Sequence, residues 1–153
     1  MSEAVGEVLF YQLDHQPLDK VLPGLLEKTL ERGWRAVVQA GSAERIEAID
    51  ALLWTYADDS FLPHGTARDG FTDRQPVFLT AGEGNPNGAA VRFMVDGAAI
   101  ADLAGYTRIV YLFDGRDEDA RAQARVEWKR AREQGLAVTY WQQTERGRWE
   151  KKA

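Results

Sequence analysis

Residues 5–39 read VGEVLFYQLDHQPLDKVLPGLLEKTLERGWRAVVQ, and the change of period inside this stretch decides the fold class. Its opening, VGEVLFYQL, is rich in β-branched and aromatic side chains and predicts a strand. Beyond Pro17, a residue suited to a helix first turn, Leu18, Val21, Leu22, Leu25, Leu26 and Leu30 recur at helical spacing until Gly33 closes the pattern. That spacing predicts an amphipathic helix. WRAVVQ at 34–39 predicts a second strand, and Ser42 caps a second helix marked by Ile46, Ile49, Leu52 and Leu53. Strand, helix, strand, helix implies parallel strands joined by right-handed crossovers, hence helices layered on a sheet in an α/β domain.

The rest of the chain extends this pattern. PVFLT at 76–80 and AVRFMV at 90–95 predict strands, separated by the turn cluster GEGNPNG at 82–88, which reads as a hairpin or loop. A short helical turn is expected at 100–103, and YTRIVYLF at 106–113 is the most apolar strand candidate. A long polar helix follows over 115–134, opened by Asp117, Glu118 and Asp119 at the positive end of its dipole and ended by Gly135. LAVTYWQ at 136–142 predicts a last strand. The expected division is a single α/β domain over 1–143 and a charged C-terminal tail over 144–153 that contains Trp149. No internal repeat or low-complexity linker is evident.

Composition narrows the chemistry. A chain of 153 residues is one domain's length, and domains of this size bury roughly 70% of their unfolded surface without needing staples. With no cysteine and two histidines, thiolate zinc sites, iron–sulfur clusters, disulfides and cysteine nucleophiles drop out, and no metal or cofactor is expected. A net charge of −5 counts against a surface that grips DNA throughout, so contact with DNA is expected to be mainly indirect. The sequence carries neither an apolar run of membrane-spanning length nor a signal-peptide pattern at its start, so a cytoplasmic protein without membrane contact is expected. The phosphate loop GxxxxGK[ST], a GxGxxG turn after the first strand, a GxSxG elbow and HExxH are all missing. No catalytic residue is assigned, although a nucleotide-binding α/β enzyme using the carboxyl ends of parallel strands remains the alternative from another class.

Two constellations stand out. LWTYADDSFLPHG at 53–65 places Trp54 and Phe61 beside turn residues, where they serve either core packing or an interface. In the long helix Arg121, Arg125, Lys129 and Arg132 follow at steps of four, four and three, a basic stripe with Trp128 beside it and small Ala120, Ala124 and Ala131 turned to the sheet. Such a stripe is either a solvated face paired within the helix to Glu127 and Glu133, or a receptor for an acidic peptide carrying an apolar anchor.

VLFYQL, LWTYADDSFLPHG, PVFLT, RIVYLFDG, ARVEWKRAREQG and the closing GRW, in this order over nearly the whole chain, resemble the chi subunit of bacterial DNA polymerase III holoenzyme. The resemblance implies a Rossmann-like three-layer domain with a mostly parallel, mixed sheet. It implies no catalysis by the chain itself, but an accessory role within a DNA-directed DNA polymerase complex, as an adaptor of the clamp loader in DNA replication. It further implies that Trp54 and Phe61 bind the psi subunit. Arg125, Trp128 and Lys129 are implied to receive the acidic C-terminal tail of single-stranded DNA-binding protein, with Arg121 and Arg132 beside them. A repair helicase in place of psi on the Trp54 and Phe61 surface is the alternative the resemblance allows.

Overall fold

The computed structural model describes residues 6–56, 62–99 and 105–153. The sequence reading places strands and helices close to where they occur. Strand β1 (Glu7–Leu13) runs into helix α1 (Leu18–Glu31), then β2 (Ala36–Gln39) and α2 (Ala43–Thr55). A two-residue strand β3 (Gly65–Thr66) and two short 3-10 turns precede β4 (Val77–Thr80), and β5 (Val91–Met94), β6 (Arg108–Asp114), α3 (Glu118–Glu133), β7 (Ala137–Gln143) and β8 (Trp149–Lys151) follow. The helical turn expected at 100–103 lies outside the described residues.

Among the described residues the strands form one eight-stranded sheet in the order β3-β4-β2-β5-β6-β1-β7-β8. Every ladder is parallel except β7 with β8. Alternation along the strands sorts the core into two faces. Leu13, Val38, Leu79, Phe93 and Leu112 pack with α1 and α2 on one side. Val8, Phe10, Val37, Tyr111 and Phe113 pack on the other, with Ala124, Ala131 and Trp128 of α3. The expected three-layer α/β arrangement with a mixed, mostly parallel sheet is present. No helix of the described residues is long and apolar enough to cross a membrane.

Two details go beyond the expectation. β4 and β5 do not pair with each other; they lie on opposite sides of β2, so of the two readings of GEGNPNG, hairpin or loop, the structure has the loop, a crossover between parallel strands. The charged stretch after 143 carries β8, whose residues Trp149 and Lys151 face Gln143 and Trp141. The hairpin is closed by Thr144 and Arg148, the backbone N–H of Thr144 donating to the carbonyl of Arg148 at 2.7 Å.

Candidate functional site

The sequence places a helix from Asp117 onward for a local reason. The Asp117 carboxylate accepts hydrogen bonds from the backbone N–H groups of Asp119 (2.9 Å) and Ala120 (3.3 Å), and Glu118 and Asp119 complement the dipole. Ala124, Glu127 and Ala131 turn inward. The buried Glu127 is held by Arg130 at 2.7 Å and Gln123 at 3.3 Å, so it does not neutralise the basic stripe. Arg125 and Lys129 are exposed, and no carboxylate among the described residues is within ion-pair distance of either.

Beside this stripe opens a cavity of about 450 Å³ lined by Arg121, Ala124, Arg125, Trp128 and Lys129 of α3, with Gln12, Phe113 and Tyr140 from three adjacent strands. Sheet register explains the company. Phe10 pairs with Tyr111 on one side and Tyr140 on the other, while Gln12 pairs with Phe113 and Gln142. Trp128 meets Phe10 at 5.5 Å and Tyr140 at 5.9 Å between ring centroids, both near edge-to-face, and Phe113 meets Tyr140 at 6.2 Å. The Tyr140 hydroxyl donates to Gln12 Oε1, Gln12 Nε2 donates to Asp14 Oδ1 at 2.9 Å, and Gln142 Nε2 donates to Asp14 Oδ2 at 2.8 Å. Burial pushes the Tyr140 phenol upward, Asp14 adds to the rise, and Arg125 and Arg121 oppose it. The phenol therefore stays neutral and donating at physiological pH.

The structure thus gathers Arg121, Arg125, Trp128 and Lys129 around one recess: an aromatic wall with cations at its mouth. Arg121 is steadied by its Nη1 donating to the Gly115 carbonyl at 3.0 Å. Arg132 is exposed in the last turn and does not line the cavity. Sequence reasoning missed Gln12, Phe113 and Tyr140. The alternation in β1, β6 and β7 carries their facing, but their meeting depends on β1 lying between β6 and β7, which no local pattern encodes.

Trp54 stands in the last turn of α2 with 57% of its surface exposed. Its ring lies 4.8 Å from that of the buried His64, whose Nδ1 is 2.7 Å from the Leu62 carbonyl and whose Nε2 is 3.0 Å from Asp50 Oδ1. Asp50 and Trp54 are one helical turn apart, so this contact fixes where α2 ends against the following chain. Phe61, paired with Trp54 in the sequence reading, lies outside the described residues.

The nucleotide alternative is tested at the carboxyl ends of β1 and β6, where connections depart to opposite faces and α/β sheets bind ligands. A cavity of about 610 Å³ does open there, between the starts of α1 and α3. Its walls carry Asp19, Asp96, Asp114, Asp117 and Asp119 against Arg45 and Arg116. Both arginines are already paired, with Asp96 at 2.8 Å and Asp114 at 3.3 Å. An acidic crevice of this kind repels a phosphate. The glycine-rich loop does not cradle one either: the carbonyls of Gly82 and Gly84 point inward, accepting from Arg92 at 2.8 and 3.0 Å. Among the described residues no group of three or more histidine or carboxylate side chains could hold a metal ion.

Comparison with known proteins converges on one family. A "Probable DNA polymerase III subunit chi" from Rickettsia prowazekii (strain Madrid E) is 26% identical over 103 residues, an alignment covering 67% of this chain and 62% of the relative's length. Residues 5–139 match the family model described as DNA polymerase III chi subunit, HolC. That match runs from the first strand into the last parallel one and takes in the α3 recess, so the chain belongs to the DNA polymerase III chi subunit family.

Proposed function

We propose that the chain is a non-catalytic accessory subunit of the polymerase III assembly, an adaptor that captures the acidic C-terminal tail of single-stranded DNA-binding protein in the recess beside α3. One observation carries the reading: Arg125 and Lys129 stand without acidic partners among the described residues at the mouth of an aromatic-walled cavity. A tail ending in aspartates and phenylalanine is complementary, its carboxylates meeting the cations and its ring the wall of Trp128, Phe113 and Tyr140. Arg121 supports the carboxylate side. Arg132, off the cavity, contributes at most to long-range attraction. Each contact is modest, and several tails presented together would raise the effective affinity.

The other arm of the adaptor is the exposed Trp54, with Phe61, as the attachment point for the psi subunit that leads to the clamp loader. A fluorescent peptide with an acidic, phenylalanine-terminated tail should bind the protein with an affinity that falls with salt. Arg125→Ala and Lys129→Ala should each weaken it about tenfold or more, the worth of one charge-assisted hydrogen bond. Unchanged binding in both variants removes the recess from the proposal. Co-purification with psi or with a repair helicase, using Trp54→Ala as control, decides which partner occupies the second surface.

A further inference from the structure

The sheet face opposite α3 is incompletely covered. α1 packs mainly on β2 and β6, while at the other end of the sheet Thr139 and Trp141 of β7 and Trp149 of β8 are only half-buried. Alternation and register put Tyr11, Trp141, Trp149 and Lys151 on this one face: Tyr11 pairs with Trp141, and Trp141 with Lys151. Tyr11 and Trp149 stack at 4.6 Å with their planes 20° apart, and Trp141 meets Tyr11 edge-on at 6.3 Å. The Trp141 indole N–H donates to Thr139 Oγ1 at 3.0 Å, which leaves the ring's only polar group satisfied. Farther along, Trp34 packs against the same core with Arg32 5.4 Å and Arg108 5.6 Å from its ring centre. Tyr11, Trp149 and Trp34 all pack against the same core cluster, so the two aromatic groups share one face. Three of the chain's five tryptophans, Trp34, Trp141 and Trp149, therefore lie on a single face.

The charge of the strip is opposite to that of the whole protein. Arg32, Arg108 and the exposed Lys151 stand against Glu7, which is bound to Arg108 at 3.0 Å. Glu150, paired with Lys152 at 2.9 Å, alternates to the other side of β8. Half-exposed ring faces with cations alongside, on the open face of a sheet, suit unstacked bases joined by phosphates. A duplex offers no free base faces to such a surface. We infer that the open face of β1, β7 and β8 binds single-stranded DNA, bases stacking on Trp141 and Trp149 and the backbone passing Lys151 toward Arg108 and Arg32. DNA rather than RNA is chosen because the family belongs to a DNA polymerase. The inference goes beyond the adaptor reading and stands on a different face from the tail recess.

Titration of oligothymidine of about 20 nucleotides at low salt should quench tryptophan fluorescence saturably, with an affinity that falls steeply as salt is raised. Trp141→Ala and Trp149→Ala should each weaken binding roughly five- to hundredfold, the range for loss of one stacking platform. Lys151→Glu, an exposed change that cannot disturb the core, should weaken it severalfold while the acidic peptide still binds as in the parent. Absence of saturable quenching, or variants that bind the oligonucleotide like the parent, overturns the inference. Tighter binding of oligouridine than of oligothymidine overturns its assignment to DNA. Failure of the peptide to bind would strike the adaptor reading alone.

Discussion

Tyr111 and Tyr140 flank Phe10 from the two neighbouring strands, and both phenols are raised by their surroundings. For Tyr111, burial and then the Glu127 carboxylate push the pKa up to about 12. In the unfolded chain a phenol titrates near 10, so between pH 10 and 12 the unfolded state sheds this proton while the folded state keeps it. The stabilisation is fully present below pH 10 and is lost as pH rises through that window. Urea denaturation at steps from pH 9 to 11.5 should show a falling midpoint, and Tyr111→Phe should flatten the decline; an equal slope in the variant refutes this account. Tyr140 gives a second residue-scale expectation. Tyr140→Phe keeps the ring in the recess and loses only the bond to Gln12, so tail-peptide affinity should change less than about threefold, whereas Tyr140→Ala removes an aromatic wall and should weaken it roughly tenfold.

At the scale of the element, α3 owes its start to Asp117, and its two faces do different work. Asp117→Ala leaves the N–H groups of Asp119 and Ala120 without their acceptor. The expected cost is about 1 kcal/mol, or a melting temperature lower by roughly 2–4 °C, readable by circular dichroism. Asp117→Asn, which keeps an acceptor, should recover most of it. Helices of this chain were legible because a 3.6-residue period is a local signal: Leu22 and Leu26 are fully buried, and the Ser42 cap accepts from Arg45 N as expected. β8 was not legible. TERGRWEKKA has one large apolar residue and no alternation, because an edge strand takes its partner's hydrogen bonds and keeps its own side chains polar. The helical half of the recess beside α3 could be read from Arg121, Arg125 and Lys129, since steps of four share a face. The strand-borne half could not, because Gln12, Phe113 and Tyr140 are brought together only by the order of β6, β1 and β7.

On the scale of the whole molecule, strand order is what local periodicity leaves open. The connection from β1 through α1 reaches β2 across the positions later filled by β6 and β5, and nothing in residues 5–39 specifies that span. One buried side chain ties the far half of this sheet together. Arg92 of β5 is fully buried, and its five N–H donors end on neutral oxygens: Gln39 Oε1 on β2, the Tyr106 hydroxyl, and the Gly82 and Gly84 carbonyls of the crossover from β4. Gln39 Nε2 passes the connection on to the Ala99 carbonyl at 3.0 Å. A guanidinium alone fits this set of acceptors. Lysine, with three donors and a tetrahedral head, would leave at least one of these four acceptors bare in a dry interior, and a bare group costs about 1–3 kcal/mol. Arg92→Lys should therefore destabilise the protein by about 1–3 kcal/mol, a melting temperature lower by roughly 2–12 °C. Because Gly82 and Gly84 flank Glu83, release of their carbonyls should also speed cleavage after Glu83 by a glutamate-specific protease under native conditions. A variant that melts within 2 °C of the parent and is cut no faster would mean that the crossover is held by other contacts and that Arg92 is a passenger in the sheet.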